Sequence, residues 1–164
     1  MRIKTGLGRM AATAIMVATM GCPVWAAGLR ETDIRAFVAA QQQAWNGRAT
    51  DAYFALFQPD AMFADQYRTP DGQVVPYGRS TLAEARSQTR RSLAKSRSTE
   101  MGEIVRITPT ADGRSAVVIS RVTSRQESAG RVRVSCAERT QTLSLEQGRI
   151  RSSGQSDTFM RCPR

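Results

Sequence analysis

Hydrophobic residues recur with helical spacing between residues 34 and 45. The positions fall at i, i+3, i+4, i+7 and i+11, which is one face of an α-helix; they are Ile34, Phe37, Val38, Gln41 and Trp45. Thr32 or Glu31 is predicted to cap this helix. Asn46-Gly47 is predicted to end it, because either residue tolerates the left-handed conformation.

A second helix and a strand are predicted next. Thr50 is a suitable cap for a short helix with apolar residues over 53–57, and Pro59-Asp60 ends that helix. Residues 61–67 then alternate as a strand does, which places Asp65 on the same face as Phe63 and Tyr67. This pattern sets a carboxylate beside aromatic side chains.

The remaining pattern predicts a third helix followed by sheet. Thr81 and Glu84 form a capping box for a helix that runs to about Ser96. Strands are predicted over 74–75, 104–108, 116–127, 131–145 and 149–160, with turns at 111–113, 128–130 and 146–148. This order predicts an α+β fold in which three N-terminal helices cover a cone-shaped, curved antiparallel sheet. The mouth of such a cone is a place for a ligand.

The first 26 residues have the pattern of a secretory signal peptide. Basic residues at 2, 4 and 9 precede an uncharged run over 10–20, and Val24-Trp25-Ala26 is a small-residue cleavage site. The uncharged run has roughly half of the 20 residues that a membrane span needs, so no transmembrane segment is expected after cleavage. The sequence therefore predicts a periplasmic or secreted domain over 27–164. Lipidation of Cys22 is disfavoured because the leucine expected three residues before it is absent.

Two cysteines, Cys136 and Cys162, remain after the predicted cleavage. An even pair in an exported protein favours a disulfide, since the compartment is oxidising. The alternative is a pair of free thiols.

Charge and composition narrow the chemistry. The full sequence has a net charge of +10, and removal of the three signal cations leaves 21 basic against 14 acidic residues, a net charge of +7. The excess is almost all arginine and is spread along the chain, so nucleic-acid binding is not expected. The sequence has no histidine, which removes the commonest general base and the commonest transition-metal ligand. No metal site and no cofactor are expected.

The segment FVAAQQQAWNGRATDAYFALFQPDAMFAD at 37–65, followed by Tyr77-Gly78-Arg79, resembles the nuclear transport factor 2-like superfamily. Within it, the likeness is to ketosteroid isomerase and polyketide cyclase (SnoaL-like) domains. The resemblance implies the cystatin-like cone and a homodimer that pairs through the outer face of the sheet. It also implies roles for residues of the isomerase site. These enzymes use an acid at the end of the first strand as base, with a tyrosine and a protonated acid as the oxyanion hole. Asp65 matches the base, but the tyrosine position holds Gln41 and the late-strand acid falls at Thr140 or Gln141.

Three functions are compatible with these features. The leading hypothesis is an exported domain that binds a small, partly apolar ligand, with a pocket formed by Gln41, Phe63, Asp65, Tyr67 and Glu138. The second is a cofactor-free isomerase or lyase with Asp65 as the catalytic general base. The third is an envelope protein-interaction domain that acts through the basic surface over 86–97. In all three, Glu138 or Asp157 is a candidate to form an ion pair with Arg121 or Arg139 if its face lines the cone.

Overall fold

The computed structural model describes residues 28–163 of the chain. The predicted signal peptide and Cys22 lie outside these residues. The elements in order are α1 (Glu31–Asn46), α2 (Thr50–Phe54), β1 (Phe57–Arg68), β2 (Val74–Thr81), α3 (Leu82–Leu93), β3 (Arg97–Pro109), β4 (Ser115–Ser128), β5 (Arg131–Glu146) and β6 (Arg149–Met160). None of the described helices is long and apolar enough to cross a membrane.

The six strands form one curved, open sheet in the order β2-β1-β6-β5-β4-β3. Strands β3 to β6 are sequential antiparallel neighbours, as the hairpin turns predict, and β2 pairs antiparallel with β1. The pairing of β1 with β6 is parallel, which the sequence prediction of an antiparallel sheet does not include. Parallel neighbours need a long connection rather than a hairpin, and here most of the domain lies between the two strands. The predicted α+β cone is otherwise confirmed.

Two hydrophobic clusters hold the helices against the sheet. In the first, Ile34 and Phe37 of α1 pack on residues of β4 and β5 such as Val118 and Leu143. The second is aromatic and joins α2 to β1 through Tyr53, Phe54 and Phe57. The periodic face predicted for α1 is therefore the face that is buried.

The helix ends differ in detail from the prediction. Helix α1 begins at Glu31 with Arg30 at the N-cap, and α2 begins at Thr50 with Ala49 at the N-cap; neither cap makes a side-chain hydrogen bond. Gly47 has a right-handed φ of −77°, and the left-handed residue is Arg48 at +58°. The Arg48 guanidinium donates a hydrogen bond to the Leu93 carbonyl at the end of α3, which holds that residue in place.

Strand β1 begins earlier than predicted, because it accommodates Pro59 without the loss of a ladder hydrogen bond. It starts at Phe57, and its pairing with β6 is interrupted between Phe57 and Met62. Pro59 lies in that interruption, where its missing N–H has no ladder partner to lose. The predicted strand start at 61 thus lies one residue before Met62, where regular pairing with β6 resumes.

The capping box and the disulfide are confirmed. The Thr81 hydroxyl accepts a hydrogen bond from the Glu84 backbone N–H, and the Glu84 carboxylate accepts one from Thr81 N–H. Cys136 and Cys162 form a disulfide with a Cα–Cα distance of 5.1 Å. This bond fixes the chain beyond the end of β6 against β5.

Candidate functional site

The curved sheet and helix α3 surround an open cavity of about 1030 Å³. Helix α3 contributes Gln88, Ser92 and Leu93 to one side of it. The strands contribute residues from the opposite side, among them Val122 and Ser124 at alternate positions of β4, which point to the same face. A cavity of this size is large enough for a ligand of ordinary drug-like dimensions.

A buried arginine between two carboxylates lies at the inner end of this cavity. Arg139 Nε and Nη2 are each 2.8 Å from an Asp157 carboxylate oxygen. Arg139 Nη1 is 2.9 Å from Glu100 Oε2, and Nη2 is 3.3 Å from Glu100 Oε1. The three side chains are 13%, 12% and 11% exposed for Arg139, Asp157 and Glu100. We call these three residues the buried triad.

The two neighbouring carboxylates favour the charged form of Arg139. Burial alone lowers the pKa of Arg139, but the charges of Asp157 and Glu100 outweigh it and place that pKa well above its ordinary value. The triad contains two acids and one base, so it carries a net negative charge when all three are ionised.

A hydrogen-bond chain links the triad to the aromatic core. The Tyr53 hydroxyl donates to Gln155 Oε1 at 3.1 Å, and Gln155 Nε2 donates to Asp157 Oδ2 at 3.1 Å. Tyr53 is 4% exposed, and burial raises the pKa of its hydroxyl above the ordinary value. Asp157 Oδ2 therefore accepts hydrogen bonds from both Gln155 and Arg139, and these two side chains together fix the orientation of the Asp157 carboxylate.

Asp65 lies directly beside the triad. It pairs in register with Asp157 across the parallel β1–β6 ladder, and Asp157 pairs with Arg139 across β5–β6. The Asp65 side chain is exposed, yet partial desolvation raises its pKa, the charge of Asp157 raises it further, and Arg139 lowers it. Gly78 faces this carboxylate, and an added Cβ there would lie 3.3 Å from Asp65 Oδ2. The local sequence thus keeps room for Asp65.

A β-bulge on β2 turns Tyr77 towards the same place. Gln66 pairs with Pro76 and Asp65 pairs with Gly78, so Tyr77 is the extra residue. Bulges often re-aim a side chain next to a functional site. The Tyr77 ring lies 6.2 Å from the Tyr67 ring and 6.3 Å from the Phe159 ring, and all three line the cavity. We call these three rings the aromatic wall.

The structure does not bring all of the predicted site residues together in one cavity. Tyr67 lines the cavity, whereas Asp65 does not; Asp65 lies on the same strand face as Tyr67 and pairs in register with Asp157, which does line it. Gln41 is buried behind the triad, in a separate chamber of about 20 Å³, and its Nε2 has no partner among the described residues. Phe63 packs on Phe54 and Phe57 in the aromatic core. Glu138 pairs with Arg68 at 3.4 Å, with both side chains about two-fifths exposed.

The predicted pairing of Asp157 with Arg139 is confirmed, and Arg121 lies instead 3.9 Å from Glu103. Glu100 is not among the predicted site residues, because the strand predicted here starts at residue 104 whereas β3 begins at Arg97. Alternating small side chains at Ser98 and Gly102 on either side of Glu100 are the signal that could have extended the strand.

The basic helix surface is partly neutralised by an acid. Arg86 and Arg90 of α3 both pair with Asp51 at the start of α2. Arg91 donates a hydrogen bond to Ser87 on its own helix. Within residues 28–163, no group of three or more histidine, cysteine, aspartate or glutamate side chains is arranged to hold a metal ion.

Comparison with known proteins identifies the fold. No protein-family model and no curated protein matches the sequence. Solved structures do match, among them a ketosteroid isomerase-like protein from Erwinia carotovora atroseptica, with a TM-score of 0.64, 15% identity, and coverage of 82% of this chain and 100% of that one. The beta subunit of the benzoate 1,2-dioxygenase from Burkholderia mallei matches with a TM-score of 0.57, 13% identity, and coverage of 80% and 91%. An NTF-2 like protein of unknown function from Shewanella oneidensis matches with a TM-score of 0.56, 15% identity, and coverage of 77% and 97%. The chain therefore has the nuclear transport factor 2-like fold, as the sequence resemblance implies.

Proposed function

We propose that this chain is an exported domain that binds a small, partly apolar ligand in the cavity above the buried triad. The observation that carries the proposal is an open cavity of about 1030 Å³ with aromatic rings on its wall and a buried charged cluster at its inner end. Pockets of this kind, largely preformed and with a few convergent polar groups, are the usual sites for small molecules.

The exposure of the aromatic wall supports a binding role. Tyr77 is 60% exposed and Tyr67 is 43% exposed, although both line a concave surface. When an apolar ligand covers large aromatic rings that are in contact with water, apolar surface is removed from water, and this favours binding. Export is a separate part of the proposal and rests on the N-terminal pattern and the Cys136–Cys162 disulfide.

A dye-binding experiment tests the cavity. Anilinonaphthalene sulfonate is titrated into the oxidised protein, and energy transfer from Trp45, which lines the cavity, reports a bound dye. The Ser124→Phe variant places a ring inside the cavity, while Ser153→Phe places the same ring on an exposed position of β6. We expect Ser124→Phe to weaken binding by about tenfold and Ser153→Phe to leave it unchanged. Equal binding by both variants would count against a ligand in this cavity.

A second function is favoured by one observation, the position of Asp65 beside Asp157. Partial desolvation, and after it the charge of the neighbouring Asp157, raise the pKa of Asp65, which suits a general base. The test is deuterium exchange next to the carbonyl of β-tetralone in heavy water. Catalysed exchange that is lost in Asp65→Asn supports this function; exchange at the buffer rate in the native protein contradicts it.

A further inference from the structure

The charged residues of the cavity are ordered along its length. Asp157 and Phe159 on β6, and Arg161 one residue beyond the end of that strand, follow one another at every second residue, and all three line the cavity. On β5 the same spacing leads from Arg139 outward to Arg133. A strand rises about 3.3 Å per residue, so the arginines at the mouth lie about 13 to 20 Å from the triad.

The inner end is unsuited to an anion. Arg139 already makes two-point contacts with both Asp157 and Glu100, so its charge is engaged. An anionic ligand would have to displace one of these acids and leave it buried without a partner, which is strongly unfavourable. With Asp65 beside the triad, the inner end presents carboxylate oxygens, and these accept hydrogen bonds from a hydroxyl or an amine.

The mouth of the cavity, in contrast to the inner end, is positively charged. Arg133 and Arg161 are exposed, and neither has an acidic partner within ion-pair distance in the part of the chain that the structure describes. Without the three cations of the predicted signal peptide the net charge is +7, so the surrounding field also attracts anions. Two guanidinium groups at one opening are suited to a carboxylate, sulfonate or phosphate.

From this order we infer that the ligand is elongated and bipolar. Its hydroxyl or amine donates to Asp65 or Asp157 at the inner end, its planar apolar body lies on the aromatic wall, and its anionic group lies between Arg133 and Arg161. This inference rests on the proposed function, because it specifies the ligand of the same cavity.

Three matched probes test the inference in the oxidised native protein. The first is a stilbene with a para hydroxyl on one ring and a para carboxylate on the other; the other two carry only the hydroxyl or only the carboxylate. We expect the two-group probe to bind about tenfold more tightly than either single-group probe. Calorimetry and stilbene fluorescence measure the three dissociation constants.

Variants assign each end of the probe. Changing Arg133→Gln together with Arg161→Gln should weaken the two carboxylate probes by about fivefold and leave the hydroxyl probe unchanged. Asp65→Asn should weaken only the probes with a hydroxyl. Arg149→Gln, which removes an exposed arginine at the start of β6, is the control and should leave all three dissociation constants unchanged.

The outcomes separate the inference from the proposed function. Equal affinity of the three probes for the native protein, with all three lost in Ser124→Phe, would retain a ligand cavity but overturn the bipolar ligand. A loss of the hydroxyl probe in the double arginine variant would also overturn it, because the orientation would then be reversed. Failure of every probe and of the dye to bind would instead contradict the proposed function.

Discussion

Removal of Arg139 is the sharpest perturbation of the site. The Arg139→Met change keeps a long apolar side chain but leaves Asp157 and Glu100, only 12% and 11% exposed, without their counter-charge. Four hydrogen bonds of 2.8 to 3.3 Å are lost at once. Removing one partner of a buried ion pair costs about 3 to 5 kcal/mol, because the remaining charges are uncompensated.

Urea unfolding and calorimetry measure this loss. A decrease of 3 to 5 kcal/mol corresponds to a fall in Tm of about 10 to 20 °C for a domain of this size. Arg86→Met is the matched control, because Arg86 pairs with Asp51 on the surface, where both side chains are well exposed. Its loss should be about 1 kcal/mol or less.

A third variant separates charge from packing. Combining Arg139→Met with Glu100→Gln and Asp157→Asn removes all three charges, and we expect it to recover most of the stability lost by Arg139→Met alone. A loss below about 1 kcal/mol in Arg139→Met, or no difference between it and the control, would refute the reasoning that the triad is buried and charged.

Three further changes have defined outcomes. The pKa of Asp65 is raised in the folded protein, so the stabilisation by its protonated carboxyl is complete below the unfolded pKa and is lost as the pH rises through the folded pKa. Asp65→Asn should therefore gain stability relative to the native protein between acidic and neutral pH. Urea unfolding measures this difference, and a relative loss of stability would contradict the prediction. The disulfide closes a loop between residues 26 apart, so the double variant Cys136→Ser with Cys162→Ser should lose about 3 to 4 kcal/mol of unfolding free energy in the same assay. An unchanged urea midpoint would show that the bond is not formed. Thr81→Ala removes the capping box with Glu84 and should lose about 1 kcal/mol, whereas Thr81→Ser should lose little.

Local patterns in the sequence predict the elements well where one physical rule dominates. The buried face of α1 follows from the spacing of Ile34 and Phe37, and both residues lie in the core. The turn at 128–130 places Ala129 and Gly130 at positive φ, as a two-residue hairpin turn requires. The disulfide follows from the two cysteines that remain after the predicted cleavage of a signal peptide.

The site depends on contacts that no local pattern contains. Asp65 lies beside Asp157 only because β1 pairs parallel with β6, although the two residues are 92 positions apart in the sequence. Glu100 belongs to a polar stretch of β3 that lacks hydrophobic alternation, and its strand is held by pairing with β4. Tyr77 points to the cavity because of a bulge, which depends on the register of two strands. Register is set by the assembled sheet, so these positions follow from tertiary structure.

The positions of Gln41 and Phe63 also depend on tertiary contacts that the sequence does not predict. Gln41 lies where the resemblance places the tyrosine of the isomerase site, and Phe63 is predicted to share a strand face with Asp65. In the structure, Gln41 is separated from the cavity by Arg139 and Glu100, which line both spaces. Phe63 is drawn into the aromatic core by Phe54 and Phe57. A large arginine at 139 therefore divides a cone that a smaller residue would leave continuous.

The central claim is that a ligand binds above the buried triad, and amide NMR shifts test it most directly. The two-group stilbene is titrated into the isotopically labelled, oxidised domain at increasing probe concentration. We expect saturable shifts at cavity residues such as Tyr67, Ser124 and Phe159, with little change at the exposed Val105 of β3 and Arg149 of β6. Shifts confined to Val105 and Arg149, or no saturable shifts at all, would contradict the claim.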